Sequence, residues 1–161
     1  MTTRALVFAL SLAMTLSDVA CGADRSAVTG AALAPEQESA MKIRLKVGDK
    51  VLAASLIDSE TTRDFISLLP LTFTMNDLFN REKSGNLPRR ISEDGQRTRT
   101  YEVGDVIYWS PSAHLAIYYR HDGEAIPSPG IIVIGKIDSG VEALNVPGPV
   151  NVTIELIRQQ Q

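Results

Sequence analysis

The best candidates for a binding or catalytic site in this sequence are basic and aromatic side chains between residues 79 and 119. Between Arg81 and Thr100 the chain carries six basic residues against three acidic ones, which is a local basic segment on an acidic protein. Phe79 comes just before this segment, and the other candidate ligand-binding residues follow it on two apolar segments: Tyr108, Trp109, His114, Tyr118 and Tyr119. An exposed aromatic ring flanked by arginines predicts a platform for a small ligand or a peptide.

The same residues also have a plain structural interpretation. The arginines can be solvated loop charges, and the aromatic rings can be core or can cap one end of the fold. Neighbours along a strand point to opposite faces, so Tyr108 and Trp109 cannot both face the core, and the same holds for Tyr118 and Tyr119. We therefore expect one residue of each pair to lie outside the core or on a groove.

Other catalytic or cofactor sites are not indicated. His114, His121, Asp122 and Glu124 do not have the spacing of a zinc site, so we predict no metal. The nucleophile-elbow motif of serine hydrolases is missing. The glycines of the segment VIGKIDSGVEAL do not form a phosphate loop, and we predict no cofactor. Gly135 instead suggests a strand interruption or a close approach of two backbones, and Gly140 a turn that needs positive φ.

The elements that must position these residues are short strands. Alternation in KIRLKV and in LTFTM predicts half-buried strands, with Ile43, Leu45 and Val47 on one face. Asp58-Ser59 can cap a helix that Pro70 ends. From Asn76 to Thr100 the chain is polar, and only NLPRRI suggests a short strand there. About eight strands and one helix, without regular alternation, favour a closed antiparallel barrel or a sandwich.

The N-terminal residues resemble a leader and a tether. Residues 1–22 have one positive charge, an apolar run and small residues, as in a secretory signal peptide. Cys21, the only cysteine, directly follows that run and suggests lipid attachment, although Asp18 is unusual for a lipobox. Release as a soluble exported protein is the alternative, and a true start at Met41 would leave the protein in the cytoplasm. Residues 23–40 are small and polar, as in a flexible linker, and residues 41–158 are predicted to form the domain.

Size and charge narrow the classes of function. The chain has 161 residues, enough for one core, and a net charge of -3, which does not favour nucleic-acid binding. We expect a membrane association only through lipid at Cys21.

Several motifs in a fixed order resemble the small bacterial cyclophilin-like proteins. Those proteins share a helix ending FxSLLPLT, an LPR segment, a GDIxYW strand followed by proline, and LAIFY. Here the corresponding segments are FISLLPLT, LPRRI, GDVIYWSP and LAIYY, and they cover nearly all of residues 41–144. IGKIDSGVEAL also resembles a cyclophilin segment. The resemblance implies a mainly β fold, a closed eight-stranded cyclophilin-like β-barrel with one or two short helices.

What the resemblance implies for activity is limited, because a shared fold does not transfer chemistry. Cyclophilins that are peptidyl-prolyl isomerases use an arginine in an FHRVI-like strand together with QGG and GSQFF motifs. This chain lacks both of those motifs, and only Arg89 or Arg90, in LPRRI, can match the arginine. The resemblance therefore favours a ligand- or peptide-binding module of unassigned function. The alternative is a weak isomerase in which Arg89 or Arg90 acts on the prolyl amide beside an apolar slot.

Overall fold

The structure is a computed structural model that describes residues 41–158. The predicted signal peptide, Cys21 and the predicted linker lie outside the described residues. The described part contains the strands and the helix that follow: β1 (Lys42–Val47), β2 (Lys50–Leu56), α1 (Glu60–Ile66), β3 (Leu71–Leu78), β4 (Glu82–Asn86), β5 (Arg97–Thr98), β6 (Asp105–Trp109), β7 (His114–Tyr118), β8 (Ile131–Ile137) and β9 (Val150–Ile157). Two 3-10 helices span Ser110–Ser112 and Val141–Leu144. No helix in this part is long and apolar enough to cross a membrane.

Eight of the nine strands close into a barrel. The hydrogen-bonded order is β2-β1-β9-β3-β4-β7-β6-β8, and β8 pairs again with β2 to complete the ring. Every pairing is antiparallel, and the two-residue β5 adds to the end of β8 outside the ring. Closure leaves no free edge among the eight strands. The predicted closed, mainly β barrel is confirmed.

Strand alternation divides the buried side chains between two faces. Ile43, Leu45 and Val47 are buried on the inner face, as their spacing predicts. A second apolar cluster lies on the outer face of β6, β7 and β8. Along these strands the side chains alternate between the two faces, and those on the outer face are buried as well. The second apolar cluster comprises Tyr101, Ile107, Ala116, Tyr118, Ile126 and Ile131. The barrel is therefore covered on one outer side, and β8 is largely buried on both faces, as its continuous apolar run predicts.

The N-cap of the helix α1 and the roles of the two glycines are confirmed, whereas the helix ends at Ile66, four residues before Pro70. The Ser59 hydroxyl accepts a hydrogen bond from the Thr62 amide at 3.1 Å, so Ser59 is the N-cap. Gly140 has φ of +79°, the left-handed conformation expected there. At Gly135, a Cβ atom would lie 2.6 Å from the Ser55 carbonyl oxygen, so glycine allows β2 and β8 to approach where the barrel closes.

The strand β4 corrects the interpretation of the polar segment. NLPRRI forms no strand beyond Asn86, and the preceding residues EKSGN form β4 between β3 and β7. Lys83 points into the barrel, where its ammonium group donates to the Asp77 carboxylate at 2.7 Å and to the carbonyl oxygens of Val146 and Gly148 at 2.6 and 2.8 Å. Three oxygen acceptors let this fully buried lysine occupy a position that its sequence pattern assigns to a loop.

Candidate functional site

A pocket of about 350 Å³ lies on the outer face of β4, β6, β7 and β8. Ala116 of β7 forms part of its floor, and register places Ser84 of β4 on one side of Ala116 and Ile107 of β6 on the other. Ile126 and Pro127, from the loop before β8, complete an apolar wall. Because the side chain of Ala116 is small, the pocket remains open at this position, where a larger side chain would fill it.

One end of the pocket is built around Arg81, at the end of the β3–β4 hairpin. The residue is 8% exposed, and its guanidinium donates from Nη1 to the two carboxylate oxygens of Asp122, at 3.2 and 2.9 Å. Arg81 Nε is buried and has no hydrogen-bond partner among the described residues. The guanidinium also lies 5.1 to 5.8 Å from the ring centroids of Phe79, Tyr101 and Tyr118. The residue is thus held in place by one ion pair and three rings.

Glu82 and Tyr118 lie beside Arg81 as a cross-strand pair. Glu82 is 5% exposed, and burial raises the pKa of its carboxyl group, which favours the neutral acid. Burial and the adjacent Glu82 carboxyl group raise the pKa of the Tyr118 hydroxyl, so the phenol stays protonated. The Glu82 and Tyr118 side chains also hydrogen-bond each other. This end of the pocket therefore contains a guanidinium beside a carboxyl–phenol pair, and the neutral form of the carboxyl group can donate a hydrogen bond.

The other end contains Trp109, His114 and Ser112. Trp109 and His114 are directly opposite each other on β6 and β7, and both are partly buried. Burial lowers the pKa of the His114 imidazole, which favours its neutral form, and the Ser84 hydroxyl lies 3.3 Å from Nδ1. The two ends are four residues apart along β7, about 13 Å at the rise of an antiparallel strand.

Phe79 forms an exposed rim at the Arg81 end. It is 67% exposed and has φ of 56°, the left-handed conformation that is unusual for a bulky residue. Asn80 follows with φ of 52°, and its amide donates to Asp77 at 3.1 Å. The hairpin thus presents an aromatic ring at the pocket entrance in a backbone conformation that costs on the order of 1–3 kcal/mol.

The pocket brings together four of the six predicted ligand-binding residues: Phe79, Trp109, His114 and Tyr118. Tyr108 instead lies inside the barrel, where its hydroxyl accepts from the Ile91 amide at 3.3 Å. Tyr119 packs with the inner core, and its hydroxyl donates to Asp77 at 2.8 Å. The expectation that one residue of each tyrosine or tryptophan pair lies outside holds for Trp109. It also holds for the other pair, because Tyr118 lines the pocket on the outer face and Tyr119 faces the inner core. Tyr118 is nonetheless buried, since Tyr101 stacks on it with ring centroids 3.9 Å apart.

The structure places Arg89 and Arg90 outside the lining of this pocket. Arg89 binds Asp64 at 2.6 Å and the Ser67 hydroxyl at 2.8 Å, beside α1. Arg90 donates to the carbonyl oxygens of Ser110 and Pro111, so it supports the turn that carries Ser112. The basic residue in the pocket wall is Arg81, which is one of the six basic residues of the polar segment and is not singled out there by its residue type. Its position between the β3–β4 turn and β4 is what sets it apart in the sequence.

Ion pairs neutralise much of the predicted basic segment, three with acids outside it and one with Glu93 inside it. Arg81 pairs with Asp122, Lys83 with Asp77, Arg89 with Asp64, and Arg97 with Glu93. The segment is therefore not an open cationic surface. Among residues 41–158, no group of three or more His, Cys, Asp or Glu side chains is arranged to hold a metal ion.

Asp122 makes stability sensitive to acid. Hydrogen bonds from the Tyr101 hydroxyl at 2.6 Å and from the Glu124 amide, together with Arg81, lower the pKa of its carboxyl group to about 2. Because an unfolded aspartate has a pKa of about 3.9, the contribution of Asp122 is complete above about pH 4 and is lost as the pH falls toward 2. We expect Asp122→Asn to flatten the fall in Tm over this range. The same substitution at the exposed Asp49 is the control, and an unchanged slope for Asp122→Asn would contradict the assignment.

Comparisons with known proteins identify one matching family and a similar solved structure. A family model described as the cyclophilin-like family matches residues 45–155. The solution structure of the hypothetical protein AF2241 from Archaeoglobus fulgidus is similar, with a TM-score of 0.61 and 23% sequence identity over 76% of this chain and 98% of that chain. This likeness concerns the fold. No curated protein sequence matches the chain.

Proposed function

The chain belongs to the cyclophilin-like family, and from that premise we propose that it is a binding module that takes a small, largely apolar ligand in the outer-face pocket. The observation that carries the proposal is the pocket itself. It is concave, its middle is apolar, and a few polar side chains converge at its two ends. We propose that the module acts outside the cytoplasm, as the leader predicted for residues 1–22 suggests, and that Cys21 carries a lipid. Mass spectrometry of the mature N-terminus tests both points.

Trp109 allows a direct test of binding because it is the only tryptophan of the chain and lines the pocket. Titration with the neutral apolar dye N-phenyl-1-naphthylamine should quench Trp109 emission with saturation. Ala116→Leu fills the floor, so we expect the affinity to fall about tenfold or more, equivalent to at least about 1.4 kcal/mol. Val51→Leu, at an exposed position of β2 outside the pocket lining, is the control. Equal affinity in Ala116→Leu and the parent would refute the pocket assignment.

A weak peptidyl-prolyl isomerase is the second candidate. One observation favours it: an arginine fixed by an ion pair borders an apolar slot with Trp109 and Phe79. The catalytic cation would then be Arg81, because Arg89 and Arg90 donate to groups outside the pocket. A protease-coupled proline-peptide assay tests this. Acceleration that disappears in Arg81→Met but persists in Arg89→Ala and Arg90→Ala would support isomerase catalysis through Arg81.

A further inference from the structure

The two ends of the pocket present different polar groups to a ligand. At the Arg81 end, the guanidinium has a buried Nε without an acceptor among the described residues, and it lies beside the hydrogen-bonded side chains of Glu82 and Tyr118. Resting on the proposed function, we infer that the ligand is uncharged and presents a carbonyl oxygen, as in an amide, ester or ketone, to Arg81, Glu82 and Tyr118. Its apolar body would lie over Ala116 toward Trp109.

Arg81 supplies a directional donor whose charge is already balanced. Both side-chain hydrogen bonds of Arg81 within the described part of the chain run from Nη1 to Asp122, and Nε is buried without an acceptor. A guanidinium has five N–H donors in a planar fork, so further donors remain for an acceptor that enters the pocket. The Asp122 carboxylate lies 2.9 Å from Arg81 Nη1 and neutralises the guanidinium charge. The remaining N–H groups can therefore donate to a neutral oxygen, and no second anion is needed to balance the charge.

Glu82 makes the same end unsuited to a carboxylate. The charged and titratable groups near it are Arg81 on its own hairpin, Tyr118 on β7 and Asp122 on the loop after β7, and the neighbouring residue on β3 is Leu78. A carboxylate ligand would meet both Asp122 and Glu82, and it would force Glu82 to stay protonated. A neutral carbonyl oxygen avoids that penalty and can accept a hydrogen bond from the neutral form of Glu82, which burial favours.

A cationic ligand is disfavoured for a different reason. The aromatic faces at this end already hold the Arg81 guanidinium, which lies 5.1 Å from the Phe79 centroid and 5.8 Å from the Tyr118 centroid. An ammonium group bound there would have to share these rings with a cation that cannot be deprotonated. The apolar middle, formed by Ile107, Ala116 and Ile131, offers no alternative place for a charge.

Three ligands of one shape test this inference on the full domain. They are 4-phenylbutanamide, 4-phenylbutanoate and 4-phenylbutylamine, with Trp109 fluorescence as the readout and Ala116→Leu as the control for the site. We expect the amide to bind about tenfold or more tightly than either charged analogue near neutral pH. Binding of a charged analogue as tight as the amide, lost in Ala116→Leu, would overturn the inference and leave the proposed function standing. No saturable response to any of the three would overturn both.

The pH dependence supplies a readout that a purely structural Glu82 would not move. Raising the pH through the raised pKa of the Glu82 carboxyl group removes its donor and introduces a competing negative charge, so the amide affinity should fall as the pH rises above the ordinary titration range of a glutamic acid. Glu82→Gln keeps a neutral donor of similar shape and should bind the amide with an affinity that does not change with pH. The same decrease in Glu82→Gln and in the parent would overturn the role given to Glu82.

Discussion

Replacing Lys83 by methionine is expected to lower the free energy of unfolding by about 3–5 kcal/mol. The ammonium group is fully buried and makes three hydrogen bonds, to the Asp77 carboxylate and to the carbonyl oxygens of Val146 and Gly148. Methionine keeps the unbranched apolar stem, one atom shorter, but leaves these three acceptors without their donor. Tyr119 also donates to Asp77, so the loss extends to a second buried side chain.

Urea denaturation of the two proteins measures this difference, and Lys50→Met is the matched control. Lys50 is exposed at the start of β2, so the same substitution there should change the stability by no more than about 0.5 kcal/mol. Asp77→Asn, alone and with Lys83→Met, completes a double-mutant cycle that isolates the pair. A loss in Lys83→Met as small as that in Lys50→Met would show that the ammonium group does not hold the barrel end together.

Gly135→Ala is expected to cost about 3 kcal/mol, at the upper end of the usual range for overpacking. The new methyl group would lie 2.6 Å from the Ser55 carbonyl oxygen and 2.7 Å from a Leu56 methyl group. The first of these atoms belongs to the backbone of β2, which cannot move without disturbing the β2–β8 pairing that closes the barrel. Relief therefore requires the two strands to separate locally.

The neighbouring substitution Lys136→Ala is the control for Gly135→Ala. Lys136 is in the same strand but exposed, and it pairs with Glu102, so its loss should cost at most about 1 kcal/mol. Hydrogen exchange should show faster opening of β2 and β8 amides in Gly135→Ala alone. Unchanged exchange in those two strands, with stability near that of the parent, would mean that the strands tolerate a side chain at the closing pair.

The features that the sequence predicts well are those determined by neighbouring residues. Alternation along β1 identifies Ile43 and Leu45 as inner residues, Ser59 has the side chain and position of an N-cap, and the Gly135 close approach is recognisable from glycine in an apolar strand. Each depends on a local rule: the two-residue repeat of a strand, the free amides of a first helical turn, or the absence of a Cβ atom.

What could not be predicted depends on partners that are distant in the sequence. EKSGN has no apolar alternation, and β4 forms because Asp77, Val146 and Gly148 satisfy Lys83 inside while the pocket side covers Glu82. Tyr118 is buried on the outer face because Tyr101 stacks on it. The Arg81 guanidinium is likewise held in the pocket wall by Asp122, which lies 41 residues away in the chain.

The pairing of β1 with β9 has a consequence for how this domain can be combined with others. Lys42 is directly opposite Ile157, so the described chain enters and leaves the barrel at neighbouring points. A host protein could therefore accept the whole barrel within one of its surface loops, with only a few residues needed to bridge the two ends. For the same reason, a circular permutant can be made by joining Met41 to Arg158 and opening the exposed Gly48-Asp49 turn. This permutant would keep every strand pairing and would lose only the covalent connection between β1 and β2.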